Sequence, residues 1–252
     1  MNILQVTTCR PKLFWEMYES FVACPQLKGW QFAIHTQDWL FGEELELCNI
    51  PNRIYTLTGP KASLWQSRRD ALPYMPIGSV LCFVDDDMLF TPETDYDTPA
   101  AFIRANRDVG VVATNLRRHP GAHTWTPHVK AYSEAPAVGV MGGMLIGYEA
   151  AQRVLEFGED NIDYRPDDVH ISCATYVAGL TNYMYHGSVC IHNYGQPGGI
   201  LDVQRANPWQ HAGHPDYFEL NKAKKYLKGK QWKLELTQKA HDEHAKNAPR
   251  WL

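Results

Sequence analysis

The chain lacks any hydrophobic run of membrane-spanning length. Its longest uninterrupted apolar stretch is the five residues Val80–Val84, against the ~20 that a spanning helix requires. The start, Met1-Asn2-Ile3-Leu4-Gln5-Val6, has no basic n-region and no long apolar h-region, so no export signal is expected. Cys9, Cys24, Cys48, Cys82, Cys173 and Cys190 include no CxxC pair. Cys82 and Cys190 lie in apolar, strand-like segments, where cysteine acts as a small buried hydrophobe. All six are therefore expected as free thiols in a reducing, cytoplasmic setting. There is no internal repeat and no low-complexity tract, and 44% hydrophobic with 21% charged residues excludes disorder, collagen and coiled coil. What remains, at 252 residues, is a globular chain of one large or two small domains with a substantial core.

Charge is unevenly spread. From Asn221 to Leu252 there are nine cations against three acids, a net of +6, so residues 1–220 carry −10 of the overall −4. An acidic body with a basic tail suits either a polyanionic partner near the C-terminus or a solvated helix face. Nothing in the sequence specifies an oligomeric state.

Strand-like and helix-like segments alternate. Strands are predicted at Ile3–Thr7, Gln31–Thr36, Arg53–Leu57, Ser79–Val84, Val109–Ala113, Met141–Gly147 and Ser188–Ile191. Helices are predicted at Lys12–Ala23, with Leu13, Phe14, Met17, Tyr18, Phe21 and Val22 on one face, and at Ala62–Leu72, Tyr148–Phe157 and from Arg165-Pro166-Asp167-Asp168 onward. Such alternation implies an α/β fold with a mostly parallel sheet flanked by helices. Both faces of a parallel strand are covered, which accounts for the unbroken apolar run Val80–Val84. Residues 115–137 and 193–215 read as long loops, and polar helices are expected to close the chain.

The strongest chemical feature is Asp85-Asp86-Asp87, directly after that buried run. Ligands of open α/β sheets bind beyond the carboxyl ends of strands. Adjacent carboxylates repel unless a cation neutralises them, and hard divalent cations take oxygen ligands that they share with phosphates. A metal with a phosphorylated substrate is one reading; an acidic capping turn is the other. Asp167-Asp168 offers either a general base or a helix cap. His192, just past a strand, reaches the same edge as the acids if its strand is parallel to theirs. Arg68 and Arg69, on the helix upstream, suit either a phosphate or solvent.

Together these features resemble the GT-A glycosyltransferases, which use nucleotide-diphosphate sugars, and the resemblance runs from Ile3 to about His192. Asp85-Asp86-Asp87 looks like the DxD motif of that fold. Arg69-Asp70 is similar to the Arg-Asn pair that members carry before the motif, with Asp70 where Asn is usual. Gly142-Gly143-Met144-Leu145-Ile146 looks like the Gly-containing strand beside the donor sugar, Asp167-Asp168 like the pair whose second acid is the base of inverting members, and His192 like the late metal-binding His. The resemblance implies a GT-A-like (Rossmann-like) catalytic domain over 1–215, its nucleotide-sugar half to about 114 and its acceptor half from about 115, followed by a basic helical extension over 216–252. It implies Mn²⁺ or Mg²⁺ on Asp87 and His192, and a UDP-sugar, of glucose or a similar hexose, held by Asp85, Asp86, Arg69 and Gly143. Thr7, Thr8, Cys9 and Asp38 would frame its base and ribose, and Asp168 would be the base if the reaction inverts.

The segment Lys222–Lys233 interleaves lysine with Tyr226 and Trp232, as single-strand nucleic-acid grooves do. It points to a hydroxymethylated DNA base as acceptor, with a saccharide or surface polysaccharide as the alternative. Trp209 suits stacking on a sugar or base, or core packing; Arg117, Arg118 and His119 suit an anionic acceptor or a solvated loop. His241 and His244 are three apart, unlike HExxH, and read as a solvated face. Two rival classes remain: a DxD phosphohydrolase of the haloacid dehalogenase type, whose DxDx[TV] pattern is broken here by Leu89, and a non-catalytic nucleic-acid- or carbohydrate-binding protein.

Overall fold

In the computed structural model, residues 1–59, 64–118, 132–134, 142–155, 171, 174–175 and 178–193 are described. The strands are β1 (Asn2–Thr8), β2 (Gln31–Thr36), β3 (Arg53–Thr58), β4 (Val80–Asp85), β5 (Met88–Leu89), β6 (Val109–Arg118), β7 (Tyr132–Glu134), β8 (Met144–Gly147) and β9 (Thr181–His192). The helices are α1 (Pro11–Ala23), α2 (Trp39–Leu47), α3 (Leu64–Ala71), α4 (Asp97–Ala105) and α5 (Tyr148–Leu155).

The strands form one nine-stranded sheet in the order β3-β2-β1-β4-β8-β6-β9-β5, with β7 paired to β9. The β3-β2-β1-β4 half is parallel throughout. β8 runs antiparallel between β4 and β6, which restores β6, and β9 beside it, to the direction of β4. The α/β, mostly parallel architecture expected from the sequence is thus what the chain adopts.

Period-two alternation along each buried strand feeds two cores. On one face Leu4, Val6, Cys82 and Val84 pack against Phe14, Met17 and Phe21 of α1, Phe41 and Leu45 of α2, and Ile103 of α4. On the other, Ile3, Leu81 and Phe83 meet Ala71 of α3 and Tyr148, Ala151 and Val154 of α5. This is why β4 reads as a continuous apolar run.

Helix α1 begins with Pro11 in its first turn, where the missing N–H costs nothing. It buries Leu13, Phe14, Met17, Tyr18 and Phe21. Val22 does not share that face: it is 61% exposed, because at 100° per residue it falls past the edge of the stripe. Two helices have no clear sequence signal. α2 buries Phe41 and Leu45 but exposes Trp39, Leu40 and Leu47, so its amphipathic pattern is blurred, and α4 carries Pro99 in its first turns. Strands β6 and β9 are longer than expected. Polar Asn115 and Asn182 and the irregularity where Tyr185 and then Val189 pair with Thr114 and Asn115 hide their continuity. β6 also runs through the expected division near residue 114 and takes in Arg117 and Arg118. His119, Trp209, His241, His244 and the basic extension lie outside the described residues; of the helix expected from Arg165 onward, Ile171, Ala174 and Thr175 are described and are helical. Among the described residues, no helix is long and apolar enough to cross a membrane, and Cys9, Cys24, Cys48, Cys82 and Cys190 form no disulfide; Cys173 lies outside the described residues.

His35, on β2, is buried beneath α3, with Nδ1 3.1 Å from the carbonyl oxygen of Ser67. Desolvation holds its imidazole below the usual pKa, opposed by the Ser67 carbonyl and the Asp70 charge. The unfolded chain therefore binds more protons below about pH 6.5, so this contribution to stability is full above that pH and is lost as pH falls through it. The Tm of His35→Gln should drop less than that of the wild type between about pH 7.5 and about pH 5.5; equal drops would exclude His35 as the source.

Candidate active site

The parallel strands β1 and β4 end side by side, Thr7 pairing in register with Asp85. Beyond them, Asp86 and Asp87 form a tight turn, after which the chain reverses into β5. β5 pairs antiparallel with the end of β9, Met88 opposite His192, and the amide of Asn193 donates to the carbonyl of Asp87 at 2.8 Å. A side-chain bond from Asn193 Nδ2 to Glu16 Oε2, 2.9 Å, ties this strand end to α1. The backbone pairing, not side-chain chance, therefore places His192 beside the acids. Its Nε2 lies 3.2 Å from Asp87 Oδ1.

The three consecutive carboxylates have different surroundings. Asp85 is the open one, its side chain 45% exposed, with Arg68 Nη2 at 3.8 Å. Arg68 itself is buried and lies 4.6 Å over the ring of Phe83, a cation–π contact. Asp86 turns inward: Thr8 Oγ1 donates to its Oδ2 at 2.7 Å, Arg10 Nε donates to the same oxygen at 3.1 Å, and Arg10 Nη2 donates to its Oδ1. Asp87 receives Arg10 Nη2 on Oδ2 at 3.1 Å. Burial pushes Asp86 up to about 6, against the Arg10 charge and the hydrogen bonds of Arg10 and Thr8. Burial also raises Asp87, but the close imidazole of His192, with Arg10, outweighs it and holds this carboxyl below the ordinary carboxylate range.

Asp87 Oδ1 is buried and makes no hydrogen bond of good geometry, His192 Nε2 notwithstanding. A hard carboxylate oxygen and an imidazole nitrogen converging on one point fit a divalent cation such as Mn²⁺. Among the described residues no cluster of three or more His, Cys, Asp or Glu is assembled for a metal. Two protein donors nevertheless suit a cation that takes its other ligands from water and phosphate oxygens.

The other expected site residues are placed as follows. Arg69 Nε lies 3.8 Å from Asp70 Oδ1, and Arg68, one residue earlier on α3, lies against Asp85. Asp38 caps α2, its Oδ1 accepting from Phe41 N at 3.1 Å. Gly143 is buried, and a Cβ there would lie 2.6 Å from Tyr96 Oη and 3.0 Å from Cys82 Sγ. Packing against Tyr96 thus requires glycine at this position. Asp168 lies outside the described residues. Sequence reasoning missed Arg10, although it is the first cation after β1, at the carboxyl edge where the acids emerge.

No family model and no curated protein matches the chain. Solved structures do match in fold. The crystal structure of GalNAc-T7 with UDP, GalNAc and Mn²⁺ superposes with a TM-score of 0.63 at 13% identity over 97% of this chain, which spans 55% of that one. S. aureus TarS 1-349 in complex with UDP-GlcNAc gives 0.60 at 13% identity, over 98% of this chain and 73% of that one. The Pyrobaculum calidifontis mannosyltransferase PcManGT with GDP-Man and Mn²⁺ gives 0.57 at 14%, over 98% and 76%. At these identities the likeness establishes the fold, a GT-A arrangement, and leaves activity to the residues.

Thr8→Val should destabilise the chain by about 1–3 kcal/mol, since it leaves a buried carboxylate short of a donor. Urea denaturation measures this; an unchanged midpoint would mean that the hydroxyl contributes nothing.

Proposed function

We propose that this chain is a metal-dependent glycosyltransferase that moves a sugar, glucose or a similar hexose, from a UDP-sugar to a hydroxyl acceptor. The observation that carries it is the convergence of Asp87 and His192, 3.2 Å apart, at the carboxyl edge of β4. Its support is a fold shared with transferases crystallised with UDP, UDP-GlcNAc or GDP-Man.

Asp87 and His192 would hold the cation, which when bound supplies Lewis-acid neutralisation of the departing diphosphate as the anomeric C–O bond breaks. Asp85, the half-open acid, would accept hydrogen bonds from the nucleotide, with Arg68 fixing its orientation. Asp86, held by Thr8 and Arg10, would anchor the turn that aims its neighbours. Residues to about 114 would serve the donor and those from about 115 to 215 the acceptor. Asp168 is the proposed base, taking the acceptor hydroxyl's proton if the anomeric centre inverts. Product of retained configuration would remove Asp168 from that role.

A ligand that binds only the folded state at a hundred times its Kd stabilises it by about 2.7 kcal/mol. In a thermal-shift series of nucleoside diphosphates, UDP with Mn²⁺ should raise Tm most, and Asp87→Asn should lose the Mn²⁺-dependent part together with nearly all turnover. A series in which no nucleoside diphosphate raises Tm would remove the donor reading.

For the acceptor we favour a hydroxymethylated DNA base, on the basic, aromatic-interleaved segment 222–233, which lies outside the described residues; a saccharide is the alternative. DNA should be retarded by the protein in a gel and released as salt rises, because lysine contacts to phosphate release counterions. No retardation at low ionic strength would leave the saccharide.

A further inference from the structure

The guanidinium of Arg10 occupies a position that electrostatics alone marks as unusual. It approaches two adjacent carboxylates of the acid turn at once. Nε and Nη2 form a two-pronged contact with Asp86, while the same Nη2 reaches Asp87 Oδ2 at 3.1 Å. The side chains of Asp86 and Asp87 are 3% and 4% exposed, that of Arg10 20%. Two buried carboxylates on neighbouring residues need a cation between them, and here the chain supplies its own.

We propose that Arg10 is a positioning residue that acts as the resident counter-cation of this turn and competes with the divalent metal for Asp87. The inference rests on the reading that Asp87 and His192 take that metal. The geometry makes the exchange local. Arg10 is seen on Asp86 through Nε and Nη2 and on Asp87 through Nη2, so Asp87 is the contact released when a divalent cation arrives. The fork on Asp86 keeps the guanidinium tethered nearby. When the cation leaves, Nη2 returns to Asp87, and the turn never presents its buried carboxylates unneutralised. Metal binding at Asp87 is thereby weakened by the cost of displacing Nη2.

The test is Mn²⁺ titration, followed by the paramagnetic signal of free Mn²⁺, on wild type, Arg10→Gln and Arg10→Lys, each with and without UDP. Loss of one charge-assisted contact corresponds to a factor of roughly ten. Arg10→Gln should therefore bind Mn²⁺ alone roughly tenfold more tightly than wild type, while its metal-free Tm falls and recovers on adding Mn²⁺. Arg10→Lys, which keeps a point charge but loses the fork, should fall between the two. If Arg10 merely braced the turn, its loss would weaken Mn²⁺ binding, so equal or weaker binding by Arg10→Gln overturns the competition. Should Arg10→Gln prove unfolded by circular dichroism, Arg10→Lys decides: roughly threefold tighter binding is expected, and equal or weaker binding overturns the inference. Wild type that binds no Mn²⁺ with or without UDP overturns the metal reading itself, and the inference with it.

Discussion

Mutual repulsion among Asp85, Asp86 and Asp87 is the constraint to which the rest of this structure answers. Carboxylates on adjacent residues, two of them buried, are stable only if opposite charge and hydrogen-bond donors are brought to each. The fold brings a different set to each acid: Arg68 from α3 to Asp85, Thr8 and Arg10 from the end of β1 to Asp86, Arg10 and His192 to Asp87. These donors come from widely separated parts of the chain. The acid turn is therefore a point where the tertiary structure is tied together, as well as the place where chemistry is proposed.

The sheet order is what makes that convergence possible. A single antiparallel strand, β8, lies between β4 and β6, and β6 and β9 consequently run in the direction of β4. The end of β9 thus emerges at the same edge as the end of β4. The short β5 completes the arrangement by pairing the residue after Asp87 with His192. Close packing fixes the neighbourhood: Tyr96 Oη donates to the Gly142 carbonyl and lies 2.9 Å from Cys190 Sγ on β9. Glycine is needed at 143 because Tyr96 and Cys82 take the space of a side chain.

The likeness to nucleotide-sugar transferases at 13–14% identity is a likeness of backbone path. A backbone path delivers strand ends to one edge, but which chemistry happens there depends on side chains. The arginine at position 10 illustrates the difference. Any chain of this topology has a residue near the end of its first strand; that it is a guanidinium here, forked onto one acid and touching the next, is a matter of side chain and not of path.

The sequence by itself determined the strand and helix alternation, the buried strand that delivers the acids to an edge, and the candidacy of Asp87 and His192. Hydrophobic periodicity and residue chemistry are local and written in order along the chain. It did not determine that Val22 faces outward, that α2 and α4 are helices, or that β6 and β9 run long, because blurred amphipathicity, a first-turn proline and irregular pairing mask those elements. Only the tertiary structure decided which cations meet the acids, bringing Arg10 to Asp86 and Asp87 and Arg68 to Asp85. It also decided that three identical side chains have three environments. The physical reason is that side-chain direction reverses with each residue of a strand and shifts by 100° with each residue of a helix. Charge pairing across the fold is therefore fixed by register between distant segments, which no local pattern records.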